Sequence, residues 1–372
     1  MPPISHIPSR VYRRPVQLVT ALLSDPIIGV VGMILLVVAL TAIALPVFIT
    51  GSNLFNVLET SLVVMILAMG MTVVLISGGI DLSVGSTMAL SAGTLAQAML
   101  AGLPLIVAFA AALVVGVLVG LLNGLMITRL GLPDFVATLA MFGFAGGILY
   151  IWTQGVPLIG YMVPELYVVG GLRPLLGTVT VPMLIALVVA LALGGMLALT
   201  RTGVHLFAVG SSSAGALQSG LKVGRTRVLA YVISGLCAGV AGIIMAGRQT
   251  TVPADLGSGY EIQAIAAAVI GGATLTGGRG RILGAILGSV LLAGVLNIIF
   301  LAGVPSSYQD IVSGGVLIAA VIANRLGASI NSRVRRKNAS LLGIDALDSP
   351  AVSRDLVDLE RRSVGEPKGA QA

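Results

Sequence analysis

The chain offers few side chains that could do chemistry. Its only histidines are His6 and His205, its only cysteine is Cys237, and its only lysines are Lys222, Lys337 and Lys368. None of the lysines follows a glycine, so no G-x-x-x-x-G-K-[S/T] loop exists to cradle a nucleotide phosphate. One cysteine gives neither a disulfide framework nor a thiolate metal site. Both histidines fall outside the long apolar runs, which leaves a His–carboxylate proton relay without members. The carboxylates in or beside those runs are Glu59, Asp81, Asp134, Glu261 and Asp310. Glu59, one turn into an apolar run, is the best candidate for an ion-coupling site; a Glu there also serves as a helix cap or reaches back to the interface. No cluster of His, Cys and carboxylates supports a membrane enzyme, and no cofactor or metal is expected.

Two glycine motifs stand out. Gly78-Gly79-Ile80-Asp81-Leu82-Ser83-Val84-Gly85 and Gly271-Gly272-Ala273-Thr274-Leu275-Thr276-Gly277-Gly278 share G-G-x-x-L-[S/T]-x-G. Each follows an apolar run and precedes another. Gly-interrupted hydrophobic segments at matching positions in two halves point to a translocation site; two ordinary glycine turns between helices would look the same. Asp81 or Ser83 can cap the helix that follows. At membrane depth Asp81 would instead be a functional candidate.

The elements that must hold these motifs follow from composition. Of 372 residues, 57% are hydrophobic and 9% charged, against about 25% charged in soluble domains, and the mean hydropathy is +1.07. So few charges cannot cover a water-soluble surface, which makes this an all-α polytopic membrane protein and excludes a soluble enzyme or a nucleic-acid-binding module. A span needs about 20 apolar residues. Ten are predicted: Ile27–Ile49, Leu54–Ile76, Val84–Ala101, Pro104–Thr128, Phe135–Thr153, Val181–Leu199, Val228–Ala246, Ile262–Gly272, Ile282–Leu301 and Tyr308–Ala323. The third and eighth are the weakest, and eight full spans plus two broken or re-entrant segments is the alternative. With ten spans, fifteen Lys and Arg fall on one side and only Arg173 and Arg248 on the other, the remaining four lying in the distal tail. The positive-inside rule then puts both termini in the cytoplasm. The net charge of +7 is therefore a topology signal. Residues 1–26 form a cytoplasmic segment, with an interfacial helix over Arg10–Leu23. Residues 27–324 form the membrane domain, and 325–372 a polar cytoplasmic tail of disordered character.

Between the sixth and seventh spans, Thr200–Gly224 holds a short helix capped by Ser212 or Ser213 and ended by Gly220. Its Ala214, Ala216, Leu217 and Leu221 could dock a cytoplasmic partner or rest on the membrane domain.

Three stretches resemble one family, the ribose/sugar-type ABC importer permeases. Leu75–Ser86 resembles their signature, and Ala208-Val209-Gly210 through Ser219-Gly220 their ATPase-coupling loop. Ile270–Gly280 with Gly284 resembles their C-terminal signature. Weaker matches are Asn53, Asn56, Asn123-Gly124 and Pro133–Leu139. Ser212-Ser213-Ala214 and Leu217 depart from the family's coupling loop, and Asp134 replaces a common second proline. The resemblance covers Leu54 to about Asn324. It implies a permease that pairs with a second permease subunit in a bacterial inner membrane. A cytoplasmic ABC ATPase would drive it and an extracytoplasmic binding protein would deliver a ribose-, xylose- or galactose-like monosaccharide. Nucleosides or branched-chain amino acids are the alternative cargo, and an ion-coupled carrier the alternative class. The resemblance assigns the coupling loop to Gly210, Ser212, Ala216, Leu217, Ser219 and Gly220. It assigns the translocation signature to Gly78, Gly79, Asp81, Ser83, Gly85, Gly271, Gly272, Thr274, Gly277 and Gly278. Asn56, Asn123, Gln263 and Asn297, with Thr72, Thr138 and Tyr231, could line a wet passage; each could equally make an interhelical hydrogen bond.

Overall fold

In the computed structural model, residues 26–319 and 322 are described, apart from 176, 306, 307, 309 and 310. The expected interfacial segment, the polar tail and most of the end of the tenth predicted span lie outside these residues. The helices run in the order α1 (Pro26–Ala44), α2 (Gly51–Ile76), α3 (Val84–Leu100), α4 (Leu105–Thr128), α5 (Asp134–Thr153), α6 (Pro164–Val169), α7 (Val181–Leu199), α8 (Arg201–Ser211), α9 (Ser213–Gln218), α10 (Val223–Gln249), α11 (Tyr260–Ile270) and α12 (Ile282–Leu301). Residues 311–319 are also helical. Prolines set several boundaries: Pro46 stops α1 short of the predicted Ile49 in a 3-10 turn, and Pro104 and Pro133 precede α4 and α5. A proline lacks an N–H and suits a helix start, where that donor has no partner.

Among the described residues, seven helices are long and apolar enough to cross a membrane: α1, α2, α4, α5, α7, α10 and α12. This is an all-α polytopic membrane protein. The third and eighth predicted spans are the short ones. The third is a 17-residue helix. The eighth is 11 residues, or about 16 Å at 1.5 Å per residue, half of a hydrocarbon core of about 30 Å.

The core is α2. Leu62 to Ile76 is buried without interruption, as expected of a helix apolar on every face. It packs against α10, α11, α12, α7 and α8. The outer helices keep large apolar side chains exposed, among them Leu36 and Ile43 on α1, Phe144 on α5 and Leu191 on α7. A water-facing surface of that kind would aggregate; in a bilayer it meets hydrocarbon.

The outer helix α4 and the largely buried α10 approach backbone to backbone. Gly116, Gly120 and Gly124 repeat every fourth residue along one face of α4 and meet Val228, Tyr231 and Gly235 of α10. A Cβ at Gly120 would lie 2.2 Å from the Tyr231 carbonyl oxygen, and one at Gly116 2.3 Å from that of Gly235. Small residues at this spacing let membrane helices gain close van der Waals contact where lipid offers no hydrophobic drive.

Candidate functional site

The two glycine motifs terminate their helices in the same way. At the end of α2, the Gly78 N–H donates to the Leu75 carbonyl (2.9 Å) and the Gly79 N–H to Val74 (3.1 Å). At the end of α11, Gly272 donates to Val269 and Ala273 to Ala268, both at 3.0 Å. This is the Schellman cap, which needs a left-handed residue just past the helix. Gly78 has φ +83° and Gly272 φ +91°. The structural partners are therefore Gly78 and Gly272, one residue off the Gly78–Gly271 pairing read from the sequence. Gly271 has a different task, because a Cβ there would lie 2.2 Å from the Gly284 carbonyl carbon on α12.

The turns meet each other and α8. The Gly278 N–H donates to the Ile76 carbonyl at 3.0 Å, bridging the second motif to the last turn of α2. The Thr274 hydroxyl donates to the Gly277 carbonyl at 2.9 Å and closes the second loop. Gly210 of α8 lies against both: its Cβ would be 1.7 Å from the Ile76 oxygen and 2.7 Å from the Gly278 nitrogen. A Cβ at Gly277 would be 2.6 Å from the Gly210 oxygen and 2.9 Å from Gly78 Cα. All three stretches that carry the family resemblance thus converge on one backbone junction.

The loop after Gly78 runs into the bundle. Asp81 is 1% exposed. One carboxylate oxygen accepts from the Ser83 N–H (3.0 Å) and hydroxyl (2.7 Å), the other from the Ser234 hydroxyl of α10 (2.9 Å). The capping role considered from sequence is not what is found. Ser83 sits at the cap position of α3 but makes no side-chain cap bond; its hydroxyl is turned instead to Asp81, to which it donates, and to Asn123, from which it accepts. Asn123 of α4 donates to the Ser83 hydroxyl at 2.8 Å and is fully buried, so it braces this loop. Beyond it, a Cβ at Gly85 would lie 2.3 Å from the Gly257 oxygen, which brings the start of α3 against the approach to α11.

Gly79 faces a polar cluster. A Cβ there would meet the Tyr231 hydroxyl at 2.5 Å and Asp134 at 2.9 Å. Tyr231 donates to the Ile80 carbonyl at 3.2 Å. Arg227 pairs with Asp134 at 3.8 Å and reaches the Gly78 carbonyl at 3.4 Å.

The region joining the sixth and seventh predicted spans holds two helices, not one. Thr200 caps α8 through the Gly203 N–H, and Ser212 caps α9 through the Gly215 N–H. Gly220, at φ +78°, ends α9 as expected, and the Ser219 hydroxyl donates to the Gly215 carbonyl. α8 was not foreseen; its Gly203, Leu206 and Val209 are buried at three-residue spacing, a short stripe between polar residues. The helix splits the two roles open to its apolar residues: Ala216 is 5% exposed and packs within its own chain, so it is not an exposed docking residue, whereas Leu217 is 66% exposed.

Two cavities lie among the described residues. Asn56, Gln263 and Asn297 line one of about 340 Å³ between α2, α11 and α12, together with Thr60 and Tyr260; Asn297 exchanges amide bonds with Asn53. Three of the four expected passage amides are thereby gathered. Thr72 and Thr138 spend their hydroxyls on helix carbonyls four residues back. The second cavity, about 770 Å³, lies between α3, α5 and residues 253–258, with Ser86, Gly146, Tyr150 and Ser258 in its wall. Glu59 is 4% exposed and bound: Arg248 pairs with its carboxylate at 3.2 Å and donates to its carbonyl, and Thr180 donates to the other carboxylate oxygen. This is a structural ion pair between α2 and α10. Tyr161 is buried and donates to the Ala246 carbonyl at 2.8 Å, pinning residues 154–163 to α10.

Residues 53–321 match the family described as branched-chain amino acid transport system / permease component. The chain is 37% identical over 293 residues to the ribose import permease protein of Escherichia coli (strain K12), covering 78% of this chain and 91% of the relative. It is 35% identical over 294 residues to that of Bacillus subtilis (strain 168), covering 79% and 91%. It is 33% identical over 295 residues to the autoinducer 2 import system permease protein of Salmonella typhimurium (strain LT2), covering 78% and 83%. No solved structure matches. The chain belongs to the branched-chain amino acid transport system / permease component family and is a permease subunit of an ABC importer.

Proposed function

We propose that this subunit forms, with a second permease subunit, the passage for a monosaccharide across a bacterial inner membrane. An extracytoplasmic binding protein delivers the sugar, and a cytoplasmic ATPase docks on α8–α9. The observation that carries this reading is the junction of Gly78, Gly210 and Gly277: the region next to the docking helix touches both signature turns directly. A rigid push on α8 is then felt at the ends of α2 and α11 without an intervening side chain.

Both termini and α8–α9 are cytoplasmic in this reading, following the Lys/Arg split. The cleft of Asn56, Gln263 and Asn297 forms part of the passage wall. Asn297 is paired with Asn53; amides in hydrocarbon without partners cost several kcal/mol each, so the side chains of Asn56 and Gln263 belong against water or a second subunit. Neutral polyols are matched by amides and hydroxyls without a counter-charge, and the buried carboxylates Glu59 and Asp81 are already engaged by the protein.

The test is uptake into proteoliposomes holding the permease, its ATPase and its binding protein. Radiolabelled ribose, xylose, galactose, uridine and leucine are offered in turn. ATP-dependent accumulation of one sugar, insensitive to ionophores, is expected. Accumulation of uridine or leucine alone would reassign the cargo, and accumulation abolished by ionophores would overturn the mechanism.

A further inference from the structure

We propose that Arg227 is a positioning residue that couples the glycine junction to α5, the helix walling the larger cavity. The proposal rests on the reading of the chain as the permease of an ATP-driven importer.

Arg227 lies in the first turn and a half of α10 and contacts two elements. One Nη lies 3.4 Å from the Gly78 carbonyl, within the turn that contacts Gly210 of α8. The other Nη lies 3.8 Å from the carboxylate of Asp134, the first residue of α5. The side chains are 26% and 20% exposed, so the pair is partly shielded from water and salt. Tyr231, one turn further along α10, adds a second tether: its hydroxyl reaches the Ile80 carbonyl and stands beside Asp134, with Gly79 leaving room for both.

α5 buries Ala137, Met141, Ala145 and Leu149 along one face, and the Asp134 tether fixes its first turn, where Phe135 and Val136 are exposed. Its helical neighbours are α3 and α4, and Phe135, Leu139 and Phe144 are exposed. Gly143, Gly146 and Gly147 line the cavity of about 770 Å³ and have nothing within 4 Å of where a Cβ would sit. Asp134 at the helix N-terminus is also favoured by the helix dipole, but that would not require an arginine that also binds the signature turn. The path is therefore continuous: Gly210 on Gly78, the Gly78 carbonyl on Arg227, Arg227 on Asp134, and Asp134 on α5. Arginine suits the position because its planar fork reaches two acceptors at once, which an ammonium point charge does not reproduce.

The experiment uses the reconstituted importer and reads sugar transported per ATP hydrolysed, with ribose as probe if wild type accumulates it and otherwise the solute that wild type accumulates. Arg227→Ala and Asp134→Asn should keep the ATPase rate within about twofold of wild type while the transport-to-ATP ratio falls about tenfold. The swap Arg227→Asp with Asp134→Arg should restore only part of the ratio, since it recreates the pair but loses the bond to Gly78. If Arg227→Ala does not reach the membrane, Arg227→Lys carries the test and its ratio should fall about threefold. A ratio unchanged in Arg227→Lys and Asp134→Asn, or ATPase and transport falling in proportion in every variant, overturns the proposal and leaves Arg227 a stability residue. Wild type that shows no ATP-dependent uptake of any solute overturns the importer reading instead, so the two failures are distinguishable.

Discussion

Replacing Gly210 with alanine sets two physical effects of opposite sign against each other. In an isolated helix the change stabilises by about 1 kcal/mol, because alanine is the better helix former. At the junction the new Cβ would stand 1.7 Å from the Ile76 oxygen, against ordinary contact at 3.4 Å or more. The backbones must therefore separate by roughly 1.7 Å, and both are main chain, which cannot rotate aside. Overpacking of this kind costs about 1–3 kcal/mol. The Gly278–Ile76 hydrogen bond, now 3.0 Å, would be broken by the same displacement, at about 1–3 kcal/mol for buried groups left without partners. The net is a loss of about 1–5 kcal/mol. Gly194→Ala is the matched control: it lies inside α7 with nothing within 4 Å of its Cβ, so only the propensity gain applies. Thermal denaturation of the detergent-solubilised chain should rank Gly194→Ala at or above wild type and Gly210→Ala several degrees below it. Equal midpoints for the two variants would refute the argument that the junction is close-packed backbone.

Three other outcomes follow from specific contacts. Gly120→Ala should disrupt the α4–α10 contact, where the added carbon would lie 2.2 Å from a carbonyl, and lower the denaturation midpoint by an amount equivalent to about 1–3 kcal/mol; a midpoint at the wild-type value would count against that packing. Glu59→Gln should destabilise by about 3 kcal/mol, the low end for breaking a buried pair, because Arg248 keeps some exposure. The double variant Glu59→Gln, Arg248→Met should recover most of the loss in the same thermal assay, and failure to recover would place the cost elsewhere than the charge. Leu217→Asp should abolish ATPase co-purification with the denaturation midpoint unchanged, since Leu217 is exposed, whereas Ala216→Glu should lower the midpoint because it forces a charge into the chain's own interior.

How far the sequence could be read depended on which physical property each feature expresses. Long apolar runs report hydrocarbon thickness, so the positions of the seven long helices emerged to within a few residues, and Ser212 and Gly220 marked α9 because caps are local chemistry. Glycine is harder, because one residue type does unlike jobs. Gly78 and Gly272 supply a left-handed backbone, Gly210 and Gly120 supply the absence of a side chain, and Gly143 and Gly146 border open space. The sequence pattern aligned Gly271 with Gly78 by letter, whereas the helix ends align Gly272 with it by conformation. Exposure was similarly opaque for Ala216, since a six-residue helix has no long periodicity to show which face turns inward. Arg227 was legible only as one of fifteen charges supporting an orientation. Its second property, a reach spanning a signature carbonyl and the carboxylate that opens α5, depends on two loops distant in sequence folding onto the same turn of α10. Membrane sequences hide such links because their polar residues are few and each is first read as an anchor to one side of the bilayer. Here Arg227 meets both the Gly78 carbonyl and the Asp134 carboxylate, and that geometry joins a signature turn to the helix that walls a cavity.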